Sequence, residues 1–457
     1  MEYYSRWTTK EELKKYLTKI TKNTKLEESG IPMLYDKDGM YIDSIDAHTM
    51  VIGTTGSGKS QAISLPQIKL ASLAGESLII NDINGELYKQ TSKILENENY
   101  DIKVINLNYP NNGHNYNPLY LPYLFYKEKN KDKSLELIER LGYYLFSDPK
   151  DTGDSFWTNS TIDYFTGLVL YLFENGKEEE INLKSIYNIS SSGEDTINGK
   201  RKIENILNSL DKSSPTYIML SGTVNAPQET RGGIISTFNQ KIIPYITKEN
   251  FSNMISQNDI DFKTIQNNKT AIFIISKNNQ LVSNIIPLFI DQTIEAVDVY
   301  GNKKTRLNII LDEFSNLLPI KNFSFLINYC RSIRIRITVI LNSYIELVNN
   351  YGKEQSEIIK YCFPNIIYLL SNDDYTLQEI SKLCGNTLDK KTNKIVPLIS
   401  KEQLKTLKPF EAIILKVRLM PIKTTLLPDY RINWSLDNKI NETFPKRTIN
   451  EIKIFNL

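Results

Sequence analysis

Eight residues in the first part of the chain have the types and spacing of a phosphate-binding loop. The run Gly53-Thr-Thr-Gly-Ser-Gly-Lys-Ser60 fits the pattern G-x-x-x-x-G-K-[ST] at every fixed position. Glycines in such a loop let successive backbone N–H groups turn inward around a β-phosphate at the positive end of a helix. Lys59 would bring a charge to the β- and γ-phosphates, and the Ser60 hydroxyl would bind Mg²⁺. The pattern therefore predicts ATP as the ligand and Mg²⁺ as its metal. The residues assigned to the nucleotide are Gly53, Thr54, Thr55, Gly56, Ser57, Gly58, Lys59 and Ser60.

Two adjacent carboxylates could supply the second half of this chemistry. Asp312 and Glu313 follow the apolar run 307–311, and the carboxyl ends of strands are where open α/β sheets bind ligands. Taken alone, the pair is explained equally well as a solvated strand end. With a phosphate-binding loop upstream, Asp312 is expected to hold Mg²⁺, and Glu313 to accept a proton from the attacking water or to orient it. The pair thus predicts hydrolysis as well as binding, that is, a Mg²⁺-dependent ATPase.

Polar residues around the next apolar run give weaker signals. Arg331, Arg334 and Arg336 lie close together, and an arginine from a neighbouring subunit can stabilise charge on a γ-phosphate. On spacing alone, a charged junction between a helix and a strand is the better interpretation. Asn342 ends the following strand, where its carboxamide could bond the γ-phosphate and the water or be an ordinary strand-end residue. Asp82 precedes an Asn-Gly turn signal and has no role on chemistry alone.

Short runs rich in Ile, Val and Leu predict the elements that position these residues. Runs this short, continuous and β-branched are typical of buried parallel strands. Helical patterns separate most of them, so the sequence predicts an α/β fold with a mostly parallel sheet. The predicted strands cover residues 49–52, 77–80, 104–107, 271–275, 307–311, 337–341, 365–370 and 412–415.

One long interval, residues 119–242, carries helical patterns and little strand signal. Leu135, Ile138, Leu141 and Leu145 recur at helical spacing. An all-α domain inserted between strands of an α/β domain is therefore expected. The expected organisation is an N-terminal segment at 1–47, a nucleotide-binding domain in two parts at 48–118 and 243–430, the all-α insertion at 119–242, and a C-terminal tail at 431–457.

The composition fits a soluble globular protein and excludes several other classes. With 55 basic and 53 acidic residues the formal net charge is +2, which neither favours nor opposes nucleic-acid binding. Two histidines and three cysteines without close pairing exclude a histidine-rich metal site and a disulfide framework. Apolar stretches fall far short of the roughly 20 residues that span a bilayer, and the N-terminus lacks the apolar region of a signal peptide. The sequence as given is not expected to cross a membrane.

Further motifs, in the order in which they occur, resemble the type IV coupling proteins of conjugation and type IV secretion, the TraG/TraD-type ATPases. The similarity extends from about residue 46 to about residue 430. The phosphate-binding loop alone indicates only a very large superfamily, whereas the Asp-x-x-Gly-Glu-Leu, Asn-Pro-Leu and Phe-Trp motifs are far more specific. The matching positions are His48 before the loop, Asp82 with Gly85-Glu86-Leu87, Asn117-Pro118-Leu119, Phe156-Trp157, Asp312-Glu313-Phe314, Arg331 and Tyr351-Gly352.

The resemblance implies a RecA-like P-loop NTPase domain with an inserted all-α domain, active as a homo-hexamer. It implies that the ring recruits relaxase-bound DNA and uses ATP to deliver it to the components of a type IV secretion channel. Conjugative transfer of this kind takes place at the cytoplasmic face of the cell membrane. By position, Arg331 is similar to the trans-acting arginine of the family. Taken with the chemistry above, the expected catalytic residues are Glu313, Lys59, Arg331 and Asn342, and the expected metal ligands are Ser60 and Asp312.

Three features depart from the pattern of the family. Asn84 stands where these proteins usually carry Lys, and Asn342 where they usually carry Gln. The shorter carboxamide of Asn342 puts the turnover rate in question. The usual N-terminal membrane helices are missing, so a membrane partner or a removed anchor is expected.

Two other functions stay open at this point. One is a double-stranded DNA translocase of the chromosome-pumping kind, which uses a similar motor. The absence of room for a winged-helix module after Trp434 counts against it. The other is a nucleotide-gated docking platform that recruits relaxase with little turnover. Asn342 keeps the platform in consideration, and the paired carboxylates Asp312 and Glu313 count against it.

Overall fold

A computed structural model of the chain describes residues 4–21, 24–147, 155–276, 284–434, 436 and 439–457. The chain divides into two compact units. Unit 1 comprises residues 1–103, 263–278 and 297–443. Unit 2 comprises residues 104–262, 279–296 and 444–457.

The strands include a large central sheet and three small antiparallel sheets. In the described residues they are β1 Thr18–Ile20, β2 Ile31–Asp36, β3 Gly39–Asp43, β4 Thr49–Gly53, β5 Ser77–Asn81, β6 Asp101–Asn106, β7 Thr196–Ile197, β8 Lys200–Arg201, β9 Thr270–Ile275, β10 Leu307–Leu311, β11 Ile335–Leu341, β12 Asn365–Leu370, β13 Asn386–Asp389, β14 Lys394–Pro397, β15 Glu411–Lys416 and β16 Ile422–Thr425. The large sheet has the order β16-β15-β12-β4-β11-β10-β5-β9-β6.

The helices lie between these strands and make up most of unit 2. Across the described part of the chain they are α1 Lys10–Lys14, α2 Leu65–Ala74, α3 Glu86–Asn97, α4 Tyr120–Lys127, α5 Lys131–Phe146, α6 Ser155–Asn175, α7 Leu183–Gly193, α8 Lys202–Ser209, α9 Pro215–Val224, α10 Gln228–Ile246, α11 Glu249–Met254, α12 Ile285–Tyr300, α13 Phe323–Ser332, α14 Tyr344–Tyr351, α15 Lys353–Tyr361, α16 Asp374–Cys384 and α17 Lys401–Lys405. None of these helices combines the length and apolar character that a membrane span requires.

The middle of the large sheet is parallel and its register brings several strand ends together. Strands β12, β4, β11, β10, β5 and β9 run in one direction. Strand β15 runs in the opposite direction beside β12, and β16 is in turn antiparallel to β15. Leu311 of β10 pairs with Asn81 of β5 and Val339 of β11, and Leu341 of β11 pairs with Ile52 of β4. The last residues of these four strands therefore lie along one side of the sheet, which we call the carboxyl edge.

Burial explains why the central strands appear in the sequence as continuous apolar runs. Every residue of β4, β5, β9, β10 and β11 is buried. A parallel strand covered on both faces needs apolar side chains on both, so alternation with polar residues is lost. The eight strands predicted from the sequence all form, and the predicted α/β class with a mostly parallel sheet is confirmed.

Unit 1 also contains small antiparallel elements that the sequence analysis did not predict. Strands β1, β3 and β2 form a three-stranded sheet, and β13 pairs with β14. Met40 and Ile42 of β3 pack with Leu70 of α2 and Trp434 in a shared apolar cluster. Strand β3 is thus packed against α2 within unit 1.

In its described residues, unit 2 is helical apart from the end of β6 and the two-residue strands β7 and β8. Helices α6 and α9 pack closely at Gly167. A Cβ added at this glycine would lie 2.6 Å from Cγ of Leu220. The aromatic rings of Phe146, Phe165 and Phe238 fill the same core. The Asn-Pro-Leu motif has a structural place in this unit, since Nδ2 of Asn117 donates to the carbonyl of Ile181 at 2.6 Å.

The C-terminal residues of unit 2 are bound along its own helices. The guanidinium of Arg447 donates to Oδ1 of Asn115 at 2.8 Å and to Oδ1 of Asn253 at 2.6 Å. Further along, Nδ2 of Asn182 donates to the carbonyl of Lys453 at 2.8 Å. These contacts hold residues 447–453 along the surface of the unit, with Arg447 buried.

Candidate active site

The phosphate-binding loop begins where β4 ends and leads into a helix. Gly56 and Gly58 have φ angles of +81° and +90°, values that residues with a Cβ adopt only at a cost. The loop is tied to its neighbour strand, because the Thr54 N–H donates to the carbonyl of Leu370 at 2.9 Å. A π-helical turn, Ser60–Ser64, precedes α2. The sequence pattern predicts that the backbone N–H groups at the start of this turn form an anion cradle.

The Lys59 side chain folds back over this loop. Its ammonium group donates to the carbonyl of Gly53, to the carbonyl of Thr54 at 3.2 Å and to Oδ1 of Asn342 at 3.0 Å. Burial lowers the pKa of Lys59 from its ordinary value, and the carboxylates of Asp312, Glu313 and Glu346 act in the opposite direction. The ammonium is thus placed where the loop, β11 and the carboxylates meet.

Asp312 and Glu313 follow β10 at the carboxyl edge. The backbone carbonyl of Asp312 accepts from Nδ2 of Asn81 at 2.7 Å, which ties the end of β10 to the end of β5. Glu313 has a left-handed backbone with φ of +47°, and its carboxylate accepts from Nδ2 of Asn316 at 2.6 Å. Strained backbones of this kind concentrate at functional sites.

The two carboxylates lie in different electrostatic surroundings. Burial raises the pKa of Asp312 to about 6, although the nearby charge of Lys59 favours the ionised form. A bound cation would favour that ionised form further, because an opposite charge within a few ångströms stabilises a carboxylate. The Asp312 carboxylate is therefore suited to binding a metal ion, whose charge would stabilise the ionised form.

Asn342 follows β11 and joins the lysine to an acidic residue that the sequence analysis missed. Nδ2 of Asn342 lies 3.3 Å from Oε1 of Glu346, and the Asn342 N–H lies 3.3 Å from Oε2 of the same carboxylate. Ser315, just beyond Asp312 and Glu313, donates its hydroxyl to Oε2 of Glu346 at 2.6 Å. Glu346 stands in the first turn of α14, four residues after Asn342, and this spacing was the one local signal for it.

Asp82 has a structural role at the carboxyl edge. Its Oδ2 accepts the backbone N–H of Tyr88 at 2.8 Å, which fixes the turn between β5 and α3. Gly85 in this turn has a φ of +75°, and Asn84 is exposed. Burial raises the pKa of Asp82 to about 6. The Asp-x-x-Gly-Glu-Leu motif thus shapes the start of α3 beside the strand that carries Asp312.

Arg331 lies apart from the residues described so far. It is exposed in the last turn of α13, before the amino end of β11, whereas the phosphate-binding loop follows the carboxyl end of the neighbouring β4. The seven residues of β11 separate the two ends, which is about 20 Å at the rise of a strand. Arg331 therefore cannot serve the loop of its own chain and could act only on that of another subunit.

The two arginines that follow Arg331 are held by hydrogen bonds and ion pairs. Arg336 is fully buried, and its guanidinium donates to the hydroxyl of Ser29 and to Oδ1 of Asn308, both at 2.6 Å. Arg334 pairs with Glu28 at 2.7 Å and with Asp46 at 3.1 Å. These contacts tie the segment before β2 and the segment after β3 to the amino edge of the large sheet.

The residues present fit Mg²⁺ with a nucleoside triphosphate. The hydroxyl of Ser57 and Oε1 of Gln61 are buried in the loop region without a hydrogen-bond partner in the described structure. Buried polar atoms of this kind call for a partner. Ser60 and Asp312 would hold the metal, and their oxygen atoms are the ligands that Mg²⁺ prefers.

The fold and the site define a RecA-like P-loop protein with an associated helical unit. The sequence profile of the family described as type IV secretory system conjugative DNA transfer matches residues 5–424. The chain therefore belongs to this family, as the motifs from His48 to Gly352 predicted. Comparison with curated protein sequences finds no match.

Solved structures give the same picture of the fold. The plasmid coupling protein TrwB in complex with ADP and Mg²⁺ is 15% identical, with a TM-score of 0.70 over 97% of each chain. The trigonal form of the bacterial coupling protein TrwBdeltaN70 with sulphate is 14% identical, with a TM-score of 0.66 over 98% of each chain. VirB4 of Thermoanaerobacter pseudethanolicus is 14% identical, with a TM-score of 0.53 over 90% of this chain and 98% of its own. At such identities the likeness establishes the fold alone.

Proposed function

We propose that this chain is a Mg²⁺-dependent ATPase that acts as the coupling protein of conjugative DNA transfer. The observation that carries the proposal is the 3.0 Å contact between Nζ of Lys59 and Oδ1 of Asn342, in a site bordered by Asp312 and Glu313. A cation, a carboxamide and two carboxylates at the carboxyl edge of one sheet are what phosphoryl transfer to water needs. The TrwB structures with ADP and Mg²⁺ and with the ATP analogue ADPNP support the assignment of the ligand.

The residues divide the work of hydrolysis among them. The loop N–H groups and Lys59 bind the phosphates, and Ser60 with Asp312 would hold Mg²⁺, which would supply positive charge beside the phosphates. Glu313 accepts a proton from the attacking water or orients it, and Asn342 positions that water against the γ-phosphate. Such positioning and charge stabilisation supply most of the catalysis in phosphoryl transfer.

The complete site requires a second copy of the chain. Arg331 is exposed and lies far from the loop of its own chain, so its guanidinium would complete the site of a neighbour. A head-to-tail contact of this kind closes into a ring when its rotation allows. We propose a homo-hexamer, in which each Arg331 stabilises the transition-state charge at the adjacent subunit.

The partners follow from family membership. The ring would recruit DNA carrying a relaxase, or another secretion substrate, and deliver it to the components of a type IV secretion channel. It would work at the cytoplasmic face of the cell membrane, held there by a membrane partner or by an anchor. ATP turnover would drive the delivery step.

A docking platform with little turnover is the second candidate. Asn342 favours it, because this carboxamide is one methylene shorter than the Gln that related proteins usually carry and is already bonded to both Lys59 and Glu346. In a platform, nucleotide binding would recruit the relaxase and hydrolysis would be dispensable.

A double-stranded DNA translocase of the chromosome-pumping kind would instead hydrolyse ATP without any relaxase.

Conjugative transfer separates these functions. The native element would be deprived of the gene for this chain and supplied with wild type, Lys59→Ala or Glu313→Gln. The coupling motor predicts that transfer to recipient cells is lost with both variants, with each protein present at normal levels. Normal transfer with Glu313→Gln, which keeps nucleotide binding, would favour the platform. Normal transfer without the chain would exclude both roles.

A further inference from the structure

Phe410 immediately precedes β15 and has an unusual backbone. Its φ is +64°, in the left-handed region that side chains with a Cβ avoid. The carbonyl of Phe410 accepts a hydrogen bond from the N–H of Leu426, which follows β16, at 2.9 Å. This bond holds the backbone conformation of Phe410 in place. Backbone strain of this kind persists where the surrounding structure over-determines it, and it clusters at ligand clamps.

The Phe410 ring lies directly on the phosphate-binding loop. A Cβ added at Gly58 would lie 2.6 Å from Cε1 of the ring and 3.0 Å from Cδ1. The glycine therefore admits the ring at a point where any side chain would displace it. The ring is partly exposed, so it is not enclosed by the loop that it touches.

The strand order places Phe410 opposite the carboxylates. The loop follows β4, which lies between β11 and β12. Asp312 follows β10, beyond β11, whereas Phe410 precedes β15, beyond β12. Because β15 is antiparallel to β12, its first residue lies at the carboxyl edge. The loop is thus flanked by the carboxylate on one side and the aromatic ring on the other.

This arrangement sets the direction of a bound triphosphate. Lys59 points to Asn342 at the end of β11, which places the γ-phosphate on the side of the carboxylates. A triphosphate is a linear chain, so its nucleoside end must leave the cradle on the other side, toward β12 and β15. Phe410, which precedes β15, lies on that side.

We propose that Phe410 is the stacking platform for the base of a purine nucleoside triphosphate bound at Gly53–Ser60. The inference rests on the proposed nucleotide function and adds the residue that binds the base. Every base has a π-face, so a platform of this kind tolerates adenine and guanine alike. The phosphates are bound by the loop, and the base adds affinity through the ring.

Calorimetric titration of Phe410→Ala tests this directly. The probes are a non-hydrolysable ATP analogue, its GTP counterpart and inorganic tripolyphosphate, each with Mg²⁺. The variant should bind both nucleotides about 5- to 100-fold more weakly than wild type, which is the range for loss of one base–aromatic stack. Its affinity for tripolyphosphate should match that of wild type, because this probe has no base. Phe410→Tyr should restore nucleotide binding.

Two controls separate stacking from support of the loop. Phe325→Ala removes a ring that is 69% exposed on α13, and all three affinities should stay at the wild-type level. Phe410→Leu keeps apolar bulk against Gly58 without an aromatic face. It should lose nucleotide affinity while retaining tripolyphosphate affinity, and it serves in place of the alanine variant if that protein unfolds.

The outcomes distinguish this inference from the function on which it rests. Equal loss of tripolyphosphate and nucleotide affinity would make Phe410 a support of the loop, and unchanged nucleotide affinity would remove it from the site. Either result overturns the inference while leaving ATP binding intact. Failure of wild type to bind both nucleotides and tripolyphosphate would instead overturn the proposed function.

Discussion

The ammonium of Lys59 lies 3.0 Å from Oδ1 of Asn342, and Nδ2 of the same carboxamide lies 3.3 Å from a carboxylate oxygen of Glu346. One uncharged side chain thus joins the phosphate-binding loop to the end of β11 and the first turn of α14. A phosphate oxygen that contacts Lys59 would come within reach of Asn342. We therefore expect the two residues to act on the same phosphate.

Asn342→Ala should reduce ATP turnover more than ATP binding. Lys59 and the loop N–H groups still bind the phosphates in this variant, whereas the carboxamide that positions the water is gone. Loss of one positioned hydrogen-bonding group in an active site typically lowers kcat by about 10²–10³-fold. Steady-state hydrolysis and nucleotide titration would be compared with Asn349→Ala, an exposed asparagine on α14. An equal loss of binding and turnover would contradict the positioning role.

Glu313→Gln and Asp312→Asn should separate general base from metal ligand. Glu313→Gln should bind the Mg²⁺ nucleotide normally and lose about 10²–10⁴-fold in turnover, the usual contribution of a general base. Asp312→Asn should also require more Mg²⁺ for half-maximal binding. Burial already raises the pKa of Asp312 to about 6, so the neutral amide should be tolerated by the fold. Glu354→Gln, exposed on α15, is the control, and near-normal turnover of both site variants would reject the assignment.

Arg331→Ala mixed with Lys59→Ala should recover activity if the arginine works between subunits. Each variant supplies the group that the other lacks, so some interfaces in a mixed ring are complete. With random mixing in equal amounts, about a quarter of the head-to-tail interfaces carry both groups. The rate of hydrolysis should rise well above that of either variant alone. No recovery in rings shown to be mixed would return Arg331 to a structural role.

His48→Gln should reduce the amount by which the free energy of unfolding falls as the pH drops below neutral. Nε2 of His48 lies 2.8 Å from the Ile327 carbonyl, and Nδ1 accepts the Ile337 N–H at 3.0 Å, so the neutral ring satisfies both contacts. Burial lowers the pKa of His48 to about 4 from 6.5. Between these values the unfolded chain binds a proton that the native protein excludes, so stability falls as pH falls, by about 3 kcal/mol in total.

Urea unfolding at pH 7.5 and at pH 5 measures this contribution. The drop in unfolding free energy between the two pH values should be smaller for His48→Gln than for wild type. Equal drops would show that the His48 ring is protonated in the native protein or does not affect the transition. The comparison of drops cancels any loss that the substitution causes at both pH values.

The sequence predicts the central strands and their end residues because both signals are local. A buried parallel strand must be apolar on both faces, and the phosphate-binding loop, Asp312 and Asn342 each follow such a run directly. The contact between Phe410 and Gly58 has no comparable signal. It depends on the strand order, which brings β15 within two strands of β4 although about 350 residues separate them in sequence.

The small antiparallel elements escaped the sequence analysis for a different reason. Strands β1, β2 and β3 have three to six residues each, and β2 contains Pro32, which is unfavourable within a sheet. The segments beside β2 and β3 are held in part by buried arginines: Arg306 donates to the carbonyls of Ser29 and Ser44, and Arg336 donates to the hydroxyl of Ser29. Such tertiary contacts between distant segments leave no pattern in the sequence of either one.

Hydrolysis of ATP with and without DNA tests the central claim most directly. Wild type in the presence of Mg²⁺ should hydrolyse ATP, and DNA should raise the rate several-fold because it assembles the ring in which Arg331 reaches the neighbouring site. Lys59→Ala should show neither the basal nor the stimulated rate, whereas Lys353→Ala, exposed on α15, should behave as wild type. A wild-type chain that binds nucleotide but never hydrolyses it with any DNA would contradict the motor, and full activity of Lys59→Ala would contradict the site.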